Sequence, residues 1–190
     1  MSAPTILTLP GWQGSGPEHW QTRWEARHGD QRVQQHDWMR PLRGDWTARL
    51  EDVVLAQSDA SGAPVLLAAH SLGCILTAWW AAHTRHADRV AGALLVAPPD
   101  IERDDLRQQI PGWAPPVRQR LPFPAILVAS SDDPFGSLES ASRLASDWGA
   151  EFHAIGPRGH INADSGLGDW DEGRALLMTL AANKPMGKPR

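Results

Sequence analysis

Short runs of apolar residues recur along this chain, and between them apolar positions return every three or four residues. The runs fall at 5–9, 33–37, 64–69, 91–97, 124–130 and 150–155. Several are continuously apolar, the pattern of strands buried on both faces of a parallel sheet. The intervening segments carry helical spacing: Trp20 with Trp24; Trp46, Leu50, Val53 and Val54 behind Asp45; Leu138, Ala141, Leu144, Ala145 and Trp148; and Trp170, Gly173, Leu176, Leu177 and Leu180. Strands and helices alternating through short links predict an α/β fold: a single doubly wound parallel sheet of about six strands, flanked by helices. No internal repeat interrupts the alternation.

The third run ends in the sharpest chemical signal. Residues 64–73 read PVLLAAHSLG and pass directly into the helical run CILTAWWAAH. Ala69-His70-Ser71-Leu72-Gly73 has the form of a nucleophile elbow, in which small residues two before and two after the serine let the chain double back without a Cβ clash. Ala69 stands where the usual pattern has a glycine, and alanine is the next smallest side chain. Ser71 is the candidate nucleophile; the plainer alternative is that it only caps the helix beginning at Leu72. His70 is expected to pack or hydrogen-bond beneath the turn.

A serine hydroxyl needs a histidine base within hydrogen-bond reach and an acid to fix that histidine's tautomer. Behind an elbow these partners follow in the order serine, acid, histidine. The fifth run ends in Ser131-Asp132-Asp133-Pro134, and the sixth is followed by Gly156-Pro157-Arg158-Gly159-His160. Asp133 precedes a proline and is therefore biased toward extended backbone, which suits an acid projecting from a strand end; Asp132 suits a turn cap. His160 lies in a glycine-flanked loop, whereas His153 lies inside a strand. His19, His28, His36, His83, His86 and His153 are read as surface or core residues.

Acyl transfer also needs donors for a tetrahedral oxyanion. The N–H of Leu72 comes with the elbow, at a helix N-terminus whose dipole favours negative charge. The second is expected from the loop after the first strand, Pro10-Gly11-Trp12-Gln13-Gly14-Ser15-Gly16, with Trp12 preferred and Gln13 next. That glycine-rich turn, with Asp37 closing the second strand, also resembles a dinucleotide-binding half. From Gly14 the pattern runs Gly14-Ser15-Gly16-Pro17-Glu18-His19, which lacks the third glycine and sets Glu18 near the pyrophosphate. That reading also leaves Ser71, Asp133 and His160 unexplained.

Taken together, the loop PGWQGSGPEHW, the tryptophans in Trp38-Met39-Arg40-Pro41 and Asp45-Trp46, the elbow AHSLG, the acid turn SSDDP and the segment GHINADSGLGDWDEG resemble the YdeN-like small serine hydrolases, whose animal relative is retinoblastoma-binding protein nine. The resemblance spans about Thr5 to Leu180. It implies an α/β-hydrolase fold over 1–182 with no large cap domain, Ser71 as nucleophile, Asp133 as acid and His160 as base. It also implies a cofactor-free hydrolase of small esters or amides. An L-x-C-x-E segment for pocket-protein binding does not carry over, because Leu72-Gly73-Cys74-Ile75-Leu76 lacks the glutamate.

Length and charge narrow the picture. A chain of 190 residues makes one domain, able to bury roughly 70% of the surface of its unfolded form. With 42% hydrophobic residues, 21% charged residues and a formal net charge of −4, nothing basic advertises a nucleic acid or anionic membrane. The N-terminal segment lacks the pattern of a signal peptide, no run approaches a membrane span, and the single Cys74 excludes an intrachain disulfide; a cytoplasmic location is expected. Cys74 reads as core. No metal-binding spacing occurs, and the basic tail 183–190 is expected to be disordered. The proline-rich stretch 98–122, with a possible helix over 101–109, is long enough only for a flap, with Trp113 a candidate lid residue beside the substrate, and Trp12 and Gln13 candidate pocket walls. Two function classes result: a serine hydrolase acting on a small ester or amide, and a binding module that keeps the fold with its site idle. Oligomeric state is left open.

Overall fold

The strand Val65-Leu66-Leu67-Ala68-Ala69-His70 has no polar face to offer water, and all six residues are buried. It is β3 (Val65–His70), and it pairs in parallel with β1 (Ile6–Leu9) on one side and β4 (Val90–Val96) on the other. The sheet continues outward through β5 (Ala125–Ala129) to β6 (Glu151–Ala154), and from β1 to the two-residue β2 (Gln31–Arg32), in the order β2-β1-β3-β4-β5-β6 with every pairing parallel. The computed structural model describes residues 4–182, so the tail expected at 183–190 lies outside the described residues.

The period of two along the strands feeds two cores. Leu7, Leu9, Leu67, Ala69, Leu95 and Leu127 join one cluster, against α2 (Arg43–Ser61), α3 (Leu72–His83) and α5 (Leu138–Trp148) through Trp46, Trp80 and Trp148. Ile6, Leu66, Ala68, Leu94, Val96, Ile126 and Val128 join the other, against α1 (Trp20–His28) and α6 (Asp171–Ala182) through Trp20, Trp24 and Leu177. Both faces of the sheet are thus covered by helices, as the apolar strand runs require.

The second strand departs from expectation. Pairing involves Gln31 and Arg32, whose partners are Leu7 and Thr8, not residues 33–37. Val33 is the apolar anchor, 1% exposed, with its N–H donating to Thr8 O at 2.9 Å. Beyond it the chain is polar and leaves the sheet. Asp37 closes no strand: its Oδ1 accepts from the N–H groups of Met39 and Arg40, an Asx-type turn. The flap helix is also shorter than expected, α4 running over Asp104–Gln109.

The chain steps from β1 outward to β2, returns across β1 to β3, and then proceeds the other way. A crevice therefore opens at the carboxyl ends of β1 and β3, the position where open α/β sheets place their ligands.

Candidate active site

The loops leaving β1 and β3 are pressed together at that crevice. A Cβ on Gly11 would fall 2.7 Å from Ser71 Cβ and 3.0 Å from Leu72 N, and one on Gly73 would fall 2.3 Å from the Leu9 carbonyl oxygen. Only hydrogen fits at either place. Gly73→Ala is accordingly expected to destabilise the fold by at least about 2 kcal/mol, because the obstacle is backbone and cannot swing aside; a denaturant-unfolding midpoint measures it.

Between these contacts Ser71 is held at φ 54°, ψ −123°, a conformation costing a non-glycine residue on the order of 1–3 kcal/mol. Its N–H donates to Val96 O at 2.9 Å, which ties the turn to β4. The hydroxyl does not cap α3. It lies 2.9 Å from His160 Nε2 instead, so the plainer alternative for Ser71 does not describe this geometry.

His160 Nδ1 stands 2.9 Å from each carboxylate oxygen of Asp133. A carboxylate can only accept there, so the proton sits on Nδ1 and Nε2 is left to accept from the serine hydroxyl. The two side chains are 10% and 4% exposed, and Asp133 Oδ1 also accepts from Phe135 N–H at 2.9 Å. Asp132 is turned away: its Oδ1 accepts from Ser130 Oγ and from Gly159 N–H, both at 2.7 Å. Those bonds, the Ser130 hydroxyl first, hold its carboxyl below the usual range. Asp132 thereby staples the loop that carries His160.

Among the expected oxyanion donors, the N–H groups of Leu72 and Trp12 donate to no other group among the described residues, whereas Gln13 N–H is committed to Trp38 O at 3.0 Å. The indole of Trp12 donates to Met39 O at 3.0 Å, pinning this loop to the segment before α2. A cavity of about 330 Å³ opens over Ser71, with Trp12, Gln13 and His160 in its wall. Its apolar side is Leu72, Pro99, Leu106, Ile110 and Phe135.

Trp113 is not in that wall. It is 1% exposed, its indole donates to Pro41 O at 2.8 Å, and its ring meets Trp46 edge-on at 5.7 Å. The expectation of a lid tryptophan is therefore corrected: Trp113 roots the flap in the core, and Leu106 and Ile110, on and just after α4, face the cavity from the flap together with Pro99. Sequence reading missed those two, since a six-residue helix has too few turns to show a periodic face. His19, read as surface or core, is buried and also lines the cavity; burial, with His160 and Arg32 nearby, lowers its pKa to about 3. Cys74 is buried in α3 and its thiol is pushed up by desolvation. Among the described residues no helix is long and apolar enough to cross a membrane, and no group of three or more His, Cys, Asp or Glu is arranged to hold a metal ion.

A parallel sheet in this order with a strained serine turn after β3 defines an α/β-hydrolase. The chain belongs to the serine hydrolase family, whose sequence model matches residues 6–179. It is similar to a YdeN-like hydrolase from Pectobacterium atrosepticum, at 29% identity over 95% of this chain and 92% of that one, with a TM-score of 0.78. The YdeN gene product of B. subtilis shares 18% identity over 95% and 100% of the two chains, with a TM-score of 0.74. The same fold is found in Est1E from Butyrivibrio proteoclasticus, solved with ferulic acid bound, at 11% identity, coverage of 96% and 91%, and a TM-score of 0.68. No curated protein matches the chain in sequence.

Proposed function

We propose that this hydrolase cleaves a small carboxylic ester or amide through an acyl-enzyme on Ser71. The observation that carries the reading is the unbroken chain of hydrogen bonds from Ser71 Oγ through His160 to Asp133, each link at 2.9 Å. Ser71 Oγ attacks the carbonyl carbon while its proton passes to His160 Nε2; Asp133 holds the imidazolium so formed. The carbonyl oxygen takes the negative charge and is met by the N–H groups of Leu72 and Trp12. As the C–O or C–N bond breaks, His160 returns the proton to the leaving heteroatom. Water, deprotonated by His160, then attacks the acyl carbon and frees Ser71.

Fluorophosphonate labelling with intact-mass readout tests this: one adduct on Ser71 is expected, and an unlabelled protein would favour the idle binding module. The walls supplied by Leu106 and Ile110 set a size limit. Each acyl CH₂ that finds apolar surface is worth about 0.8 kcal/mol, or about fourfold in kcat/KM. That gain is expected to stop after the first few carbons, without activation at a lipid interface. A p-nitrophenyl ester series from acetate to palmitate measures it; a rise continuing past about eight carbons would show a deeper channel and a lipase.

A further inference from the structure

His70 takes no part in the proton path, yet it is a buried polar side chain at the centre of the site, 5% exposed. Its Nε2 lies 2.8 Å from the carbonyl oxygen of His160. A carbonyl can only accept, so Nε2 carries a proton and donates. The ring is wedged between two others, edge-on to His19 at 4.6 Å and to His160 at 4.8 Å between centroids. Phe135 meets the His160 ring at 4.6 Å.

These contacts close a small mechanical circuit. His70 is joined covalently to Ser71; its side chain holds the backbone of His160; and the side chain of His160 returns to Ser71 Oγ at 2.9 Å. The rest of the chain between Ser71 and His160 runs through α3, β4, α4, β5, α5 and β6 in turn, a long route over which small displacements accumulate. The circuit replaces that route with one hydrogen bond. Burial, together with the neighbouring His19 and His160, pushes the His70 pKa well below that of a free histidine, so the ring stays neutral beside a base that becomes cationic in each turnover.

We propose that His70 is a positioning residue, setting the distance between nucleophile and base by clamping the His160 carbonyl through its Nε2–H. The inference rests on the reading of Ser71 and His160 as nucleophile and base. His70→Phe keeps the ring and removes the donor, and His70→Gln places an amide N–H close to where Nε2 stood. In His70→Phe, kcat for a short-chain p-nitrophenyl ester and the rate of fluorophosphonate labelling are expected to fall together by on the order of 10- to 100-fold, as a slight misplacement of reacting groups does. KM should be little changed. The low-field proton resonance of His160 Nδ1–H in its bond to Asp133 should broaden or vanish. His70→Gln should recover most of the rate and the resonance. Wild-type rates in His70→Phe, a loss confined to KM, or a glutamine variant as impaired as the phenylalanine one would each overturn the proposal. A wild-type protein that takes no label would instead remove the nucleophile reading and this inference with it, whereas a labelled wild type with a normal His70→Phe removes the clamp alone. Thermal unfolding of both variants separates misfolding from misplacement: if His70→Phe unfolds early, the resonance and rate of the folded His70→Gln protein still decide, since a clamp requires both to be near wild type.

Discussion

Ser71→Ala is expected to abolish fluorophosphonate labelling and to lower ester hydrolysis by on the order of 10⁵- to 10⁶-fold, the loss found when the nucleophile of a cooperating triad is removed. The fold should survive. The hydroxyl has no structural bond to lose, since it does not cap α3 and its one hydrogen bond among the described residues is to His160, and alanine meets the same backbone requirement at φ 54° as serine does. Equal unfolding midpoints and an intact near-ultraviolet spectrum would show that only chemistry was lost. Labelling that persists in the variant would move the nucleophile elsewhere.

The second large effect is expected at Asp133. In Asp133→Asn the amide oxygen stays with Phe135 N–H, the donor now held by Oδ1, and this turns the NH₂ group toward His160 Nδ1. A donor facing Nδ1 forces the ring proton onto Nε2, which can then no longer accept from Ser71. A fall in kcat of about 10³- to 10⁴-fold follows from the wrong tautomer. Asp132→Asn keeps an oxygen for Ser130 and Gly159 and should cost no more than about tenfold, the worth of one weakened hydrogen bond. Steady-state kinetics on both variants decide between the two carboxylates, and comparable losses would overturn the assignment of Asp133 as the acid.

The features easily read in the sequence are those whose physics is local. Continuous apolar runs mark strands that are wet on neither face, so β3, β4 and β5 lie within a residue or two of their expected limits. The elbow shows because a reversal at Ser71 demands small neighbours, and Asp133 is separable from Asp132 because Pro134 constrains the residue before it. The second strand failed for the opposite reason. Gln31 and Arg32 enter the sheet through backbone bonds to β1 alone, and their side chains advertise nothing. Trp113 was misplaced because size and hydrophobicity suit a pocket wall and a core equally. Which one it joins depends on Pro41 and Trp46, more than sixty residues away in sequence. The meeting of His70 with the carbonyl of His160 likewise depends on how two distant loops dock, and no spacing within either loop encodes it.

One consequence lies in the indoles themselves. The chain has ten tryptophans and no tyrosine, so its near-ultraviolet signal is essentially that of indole. Trp20 donates its N–H to Ile161 O at 3.0 Å, at the residue directly following His160, and packs obliquely on Trp24 at 4.7 Å and Trp170 at 5.1 Å. Transitions in rings so close and so inclined couple, and circular dichroism in this region reports fixed packing. The protein therefore carries a built-in optical gauge of the loop that bears His160, readable without label or substrate.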